Sequence, residues 1–291
     1  MQNTVLITDT ACDLSPAMLE ISDIEAVGFP YTLDGQERLD DSGSALTYDE
    51  FYDALRAGAR STTAQVSPID CLTAFERAYD SGRSAVMLTI SSGLSASYDT
   101  AVVARQQFLE KRPDADIYVV DSQSVSAGQG LLVLETARRL AGGMSAEAVA
   151  AWVEENRLRA NAVFTVDTFE YLVRGGRVPA AVGAVGSVLN IKPVLHVDAE
   201  GRLAPLKRVR GHHHALAALS DVVAERIENP ETQIVIVDHA QCPEDAAVLR
   251  VLLAERIHVK GMIGGRIGTI IGTHTGPSGL VVAFWGRPRG S

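Results

Sequence analysis

Basic residues are in short supply. Lys and Arg number 26 against 36 Asp and Glu, so the 291-residue chain carries a formal net charge of −10. An acidic surface repels other polyanions, which excludes nucleic acid and an anionic membrane as main partners. Cysteine is rarer still. Cys12, Cys71 and Cys242 lie far apart with no metal-ligand spacing, and an odd, sparse set reads as reduced thiols. No apolar run approaches the ~20 residues that cross a membrane as a helix. The N-terminus, Met1 to Val5, has neither a charged lead nor an apolar core, so no signal peptide is expected. These absences point to a cytoplasmic protein without stable membrane insertion. Several motifs are missing too. There is no Gly-x-x-x-x-Gly-Lys phosphate loop, and Gly128-Gln129-Gly130 lacks the third glycine of a dinucleotide fingerprint. Ser95 sits between Leu94 and Ala96, which is not a nucleophile elbow.

What is present suits a globular protein. Hydrophobic residues make up 46%, and the length allows one large domain or two ordinary ones. Val5-Leu6-Ile7, Ala85 to Ile90 and Ile117 to Val120 are near-continuously apolar. Each ends in polar residues: Thr8-Asp9, Ser91-Ser92 and Asp121-Ser122. Strands covered on both faces read this way, so an α/β fold with a parallel sheet is expected, with ligand groups at the strands' carboxyl ends. Helix starts are marked by Ser15-Pro16, by Thr47 with Glu50, by Ser67-Pro68 and by Ser145. Gly142-Gly143 stops the long helix ending near Leu140.

Near residue 160 the pattern changes. Val163 to Val166, Ile234 to Val237 and Leu280 to Trp285 read as strands. Arg174 to Arg177 reads as a turn or helix end, Val182 to Leu189 as a small-residue helix, and Val194 to Leu206 as a hairpin. The expected division is an N-terminal α/β domain, residues 1–160, and a C-terminal α/β domain, residues 161–291.

Two loops rich in hydroxyls carry the functional signal: Thr62-Thr63-Ala64-Gln65-Val66-Ser67-Pro68 and Ser91-Ser92-Gly93-Leu94-Ser95-Ala96-Ser97-Tyr98. Hydroxyls and backbone N–H groups at a strand-to-helix turn hold anions. Neither loop has a Lys or Arg, so a carboxylate fits better than a phosphate. Thr63 and Ser95 are the principal candidates, with Thr62, Ser92, Ser97 and Gln65 as supporting donors. The same hydroxyls also suit plain helix caps. Asp9 and Asp13 suit a turn and the dipole of the following helix. His212-His213-His214 reads as a solvated helix start, while His239 and His274 are better placed for chemistry. Arg174, Arg177, Lys192, Lys207, Arg208 and Arg210 cluster in sequence, as a solvated face or as a docking surface for an acidic or phosphate-bearing partner.

The stretches together resemble the DegV family of bacterial fatty-acid-binding proteins. They run in order: Thr8-Asp9-Thr10 with Asp13-Leu14; Thr63 to Ser67; Ser91 to Tyr98; Asp121-Ser122 with Gly128-Gln129-Gly130; Phe169 to Leu172 with Arg174 to Arg177; Ile191 to Val194; and His274 to Pro277. Two stretches depart from the family pattern, Thr63-Ala64-Gln65-Val66-Ser67 for Thr-Ser-Gln-Pro-Ser and Ser95-Ala96-Ser97 for Ser-Gly-Thr. The resemblance implies two α/β domains with a fatty acid such as palmitate, stearate or oleate in an apolar tunnel between them. It implies that Thr63, Ser95 and His274 meet the carboxylate. It also implies a separate fatty acid kinase that makes an acyl phosphate, with Arg174 and Arg177 contacting that partner or its phosphate. Neither a cofactor, a metal nor a catalytic residue is expected. Two other readings use the same residues: a serine hydrolase or acyltransferase built on Ser95 and His274, and a sensor of another small carboxylate.

Overall fold

The computed structural model describes residues 3–181 and 190–290. The helix expected over 182–189 lies outside them. The first half of the chain contains β1 (Thr4–Asp9), α1 (Pro16–Ile21), β2 (Ile24–Val27), β3 (Pro30–Leu33), β4 (Gln36–Leu39), α2 (Tyr48–Arg56), β5 (Ser61–Thr63), α3 (Pro68–Asp80), β6 (Ser84–Thr89), α4 (Ser97–Lys111), β7 (Ile117–Asp121), α5 (Ala127–Ala141) and α6 (Ala146–Asn156). The second half contains β8 (Ala160–Thr165), α7 (Glu170–Arg174), β9 (Ile191–Val197), β10 (Leu203–Arg210), α8 (His212–Arg226), β11 (Ile234–His239), α9 (Pro243–Arg256), β12 (Gly261–Ile263), α10 (Thr269–Thr275) and β13 (Leu280–Trp285).

Local chemistry sets the helix starts. Ser15, Ser67 and Ser145 each accept an N–H from the first turn of the helix they precede. Thr47 and Glu50 form a reciprocal capping box. Ser67, not Thr63, caps α3, because Thr63 still belongs to strand β5.

Strands β2-β1-β6-β7 form a parallel sheet in that order. The chain leaves β1 to one side for β2 and later to the other for β6. That reversal opens a crevice at the carboxyl ends of β1 and β6. Strands β10-β9-β8-β13-β11-β12 form a second sheet, antiparallel except for the β11–β12 pair. Strands β4-β3-β5 form a small antiparallel sheet, with Asp34-Gly35 in left-handed conformation at its hairpin turn. Helix α5 packs on β1 and also on β8 and β13, so one apolar core runs from Leu6 and Val86 through to Phe164 and Ala283. A second cluster, around Leu219, Leu249 and Phe284, fills the far face of the six-stranded sheet. All three cysteines are buried and unlinked.

Helix α10 is fastened to the first half of the chain. Tyr52 donates its hydroxyl to the Ile267 carbonyl at 2.7 Å, and Ser61 and Thr273 share a hydrogen bond of 2.7 Å. Gly272 makes the approach possible, since a Cβ there would lie 2.4 Å from the Tyr52 hydroxyl. Gly272→Ala is therefore expected to cost about 1–3 kcal/mol by overpacking. Tyr52→Phe in the same chain should recover part of that loss. Chemical denaturation of the two single variants and the double variant measures the coupling, and strict additivity would contradict the contact.

Candidate functional site

An apolar cavity lies at the crevice between the parallel sheet and the six-stranded sheet. Its empty space is about 740 Å³, including an open mouth. Phe29, Ile90, Phe164, Leu172, Ile270 and Ile271 supply much of the wall. Thr63, Ser95, Arg177 and His274 make a polar corner in it. Thr63 ends β5, Ser95 follows β6, Arg177 follows α7 and His274 lies in the last turn of α10, so four distant segments converge.

His274 Nε2 lies 2.9 Å from Thr63 Oγ1. Its Nδ1 is buried with no hydrogen-bond partner among the described residues. Gly175 leaves room for that nitrogen, since a Cβ there would come within 2.1 Å of it. A buried bare nitrogen costs less than a buried orphan N–H, so the favoured tautomer carries its proton on Nε2. That N–H donates to Thr63 Oγ1 and leaves the threonine O–H free to donate elsewhere. Burial, with a smaller contribution from the Arg177 charge, pushes the His274 pKa down to about 3, so the ring is neutral at pH 7.

Ser95 and Ser97 share a hydrogen bond of 2.9 Å, and Ser97 Oγ also accepts the Val66 N–H at 3.2 Å. Ser97 thus ties the two hydroxyl loops together. Arg177 donates to the Leu94 carbonyl at 3.1 Å and to the Gly175 carbonyl at 2.6 Å. The cation is half-buried and committed to backbone oxygens that flank Ser95 and His274. Desolvation lowers its pKa from the usual arginine value.

The other expected donors lie elsewhere. Thr62 occupies the opposite face of β5 from Thr63, as strand alternation requires, and bonds Thr32 at 2.7 Å. Ser92 donates to Asp121 at 2.6 Å, and Gln65 is exposed; neither lines the cavity. Arg174 is exposed and pairs with Glu170. His212 opens α8, with Nε2 2.7 Å from Asp245. His239 ends β11 and does not line the cavity. His274 engages Thr63, and no hydrogen bond joins it to Ser95 among the described residues, so the nucleophile–base pair of a hydrolase is not assembled.

Asp9 and Asp13 do bracket a turn, the short 3-10 segment Thr10–Cys12 that Asp13 closes in a left-handed conformation, but their carboxylates also reach distant elements and not helix α1. Asp9 is buried, accepting the Ile90 N–H at 2.7 Å and the Gln129 amide at 2.9 Å, and burial raises its pKa to about 6. Asp13 accepts the Gly268 N–H at 2.8 Å, at the start of α10, so it complements a helix dipole more than 250 residues away. Its other oxygen lies 2.5 Å from Ser126 Oγ. Burial, then the nearby Asp238 and Asp40 carboxylates, pushes its pKa well above the usual range.

Ser126 was not among the expected site residues, yet it lines the cavity. Its backbone has φ 55° and ψ −140°, a conformation that costs a non-glycine residue about 1–3 kcal/mol. The signal for it was positional. It lies between β7 and α5, just as Ser95 lies between β6 and α4. Among the described residues no group of His, Cys, Asp and Glu is arranged to hold a metal. No helix there is long and apolar enough to cross a membrane.

A family model described as "Uncharacterised protein, DegV family" matches residues 3–286. A DegV domain-containing protein of Clostridium perfringens is 38% identical over 289 residues, 99% of each chain. Among solved structures, a DegV family protein of Thermus thermophilus, described by its fatty acid binding, is 30% identical, with a TM-score of 0.86 over 97% of this chain and 99% of that one. A DegV lipid binding protein of Thermotoga maritima is 28% identical, with a TM-score of 0.85 over 99% of both chains.

The buried neutral histidine sets an acid limit on stability. An unfolded His274 takes up its proton near pH 6.5, whereas the folded ring resists until about pH 3. The unfolded state therefore binds more protons between these values, and this residue's contribution is present above pH 6.5 and lost as pH falls toward 3. The loss is of order 5 kcal/mol. His274→Gln, which never charges, is expected to flatten the stability profile over that window in denaturant melts at stepped pH. A profile as steep as that of the parent chain would contradict the assignment.

Proposed function

The chain belongs to the DegV family, and on that premise we propose that it binds a long-chain fatty acid and presents the carboxyl group to a separate kinase for conversion to an acyl phosphate. The observation that carries this reading is an apolar cavity with one polar corner, Thr63, Ser95, His274 and Arg177. The fatty acid and lipid binding of its Thermus and Thermotoga relatives supports it. The acid lies between an N-terminal unit, residues 1–160, and a C-terminal unit, residues 161–291. The carrier acts in the cytoplasm, needs no cofactor and contributes no catalytic residue.

Physical chemistry favours this division of labour. Burying about 14 methylenes at about 0.8 kcal/mol each gives a gross ~11 kcal/mol, partly offset by ordering and association costs. The head group need not supply the affinity. Thr63, its hydroxyl directed by the neutral His274, and Ser95 donate to the carboxylate without forming an ion pair. A carboxylate held by neutral donors keeps its nucleophilicity toward a phosphoryl donor. Thr63 and Ser95 are partly exposed, so a head group there is within reach of a docked enzyme. Arg174, Lys207 and Arg210 are exposed on the surface and suit a partner carrying phosphate or acidic groups.

Thr63→Ala combined with Ser95→Ala tests the reading. Two lost hydrogen bonds to a charged group are expected to lower acyl phosphate yield with the kinase at least about tenfold. The circular dichroism spectrum should be unchanged. Full yield from the double variant would contradict the roles assigned to both hydroxyls.

A further inference from the structure

A second cleft lies at the other end of the six-stranded sheet and shares no lining residue with the acyl cavity. The acyl cavity takes Leu280 and Val281 from the start of β13, whereas the cleft takes Trp285 from its end. Helix α5 runs from one to the other, with Ser126 just before its start and Arg138 near its end.

The chain has only two tryptophans, and both line this cleft. Trp152 and Trp285 meet with ring centroids 5.8 Å apart and planes at 59°. Both remain partly exposed. The Arg139 guanidinium sits 3.8 Å from the Trp152 centroid, a close cation–π contact that fixes one indole. Leu131, Leu134 and Ile234 extend an apolar floor. Four cations line the cleft, Arg138, Arg139, Arg159 and Lys260, against two carboxylates, Glu135 and Glu228. In a chain of net charge −10 that excess is a local reversal of sign. Arg138 and Arg139 both lean on Glu135, and Arg159 on Glu228. Arg138 holds Glu135 with a two-pronged fork, Nε and a terminal nitrogen each 2.7 Å from a carboxylate oxygen, whereas the Arg159–Glu228 pair is exposed and weak, and among the described residues Lys260 is in no ion pair.

We propose that this cleft binds a nucleotide, with the base stacked on Trp152 and Trp285 and the phosphates held by Arg138, Arg159 and Lys260. Flat rings favour indole faces, and guanidinium forks match phosphate oxygens in pairs. A nucleic acid strand is disfavoured by the acidic surface outside the cleft. A fatty acid is disfavoured by the polar rim.

Both tryptophans lie in the cleft and neither lines the acyl cavity, so intrinsic fluorescence reads this site directly. The experiment titrates ATP into the lipid-loaded protein, with adenosine and pyrophosphate as comparators and calorimetry as a second readout. The expected result is saturable quenching with a Kd at or below about 1 mM, at least about tenfold tighter for ATP than for either fragment. Arg138 is 69% exposed and Lys260 is exposed, so Arg138→Ala with Lys260→Ala leaves the core intact. That variant should weaken ATP at least about tenfold while retaining its fatty acid. No saturable response, a fragment matching ATP, or a variant that binds ATP unchanged would each overturn the proposal. Fatty acid content measured on the same samples reports the acyl cavity separately.

Discussion

The apolar cavity exists because helix α10 is held along its whole length by residues from the first quarter of the chain. Asp13 accepts the Gly268 N–H, and Asp40 accepts the Thr269 hydroxyl at 2.5 Å. Tyr52 bonds the Ile267 carbonyl, Ser61 bonds Thr273, and Thr63 bonds His274. Each contact spans more than 200 residues. The helix has only seven residues and would not persist by propensity alone. Fixed in this way, it lays Ile270 and Ile271 against the carboxyl edge of the parallel sheet and sets His274 beside Thr63. Polar contacts, all but the Thr63–His274 pair outside the cavity, thus hold its apolar wall in place.

The same contacts explain the site's electrostatics. The buried carboxylates of Asp9, Asp13 and Asp40 do not line the cavity, and they turn their oxygens to N–H and O–H donors. Burial raises the pKa of all three. His274 is neutral for the matching reason, because an imidazolium there would be unsolvated and would face Arg177. A corner with neutral donors and one cation spent on backbone carbonyls orients an anion without clamping it.

Features set by neighbours in sequence were legible before the structure. The apolar strands β1, β6 and β7, and the Ser-Pro and Thr–Glu helix starts, depend on nearest residues and appear as expected. Thr63, Ser95 and His274 were readable as candidates because hydroxyls at strand ends and a histidine beside Gly-Pro are local signals. What was not legible is long-range. Nothing near Arg177 says that it turns into the cavity wall, and nothing near Asp13 says that its helix partner starts at Gly268. Thr62 and Thr63 look equivalent in a string, and only the pleat of β5 separates them. The hairpin of β3 and β4 has a strong turn signal in Asp34-Gly35, but Gln36-Glu37-Arg38 carries too little apolar patterning to stand out as a strand.

The most direct test of the account is to denature the purified protein, extract it into organic solvent and identify the extract by mass spectrometry. The account predicts a long-chain fatty acid close to one per chain, with its length and unsaturation reporting the shape of the cavity. An empty extract, together with no uptake when the folded protein is incubated with long-chain fatty acids, would contradict the claim that this cavity is built for an acyl chain.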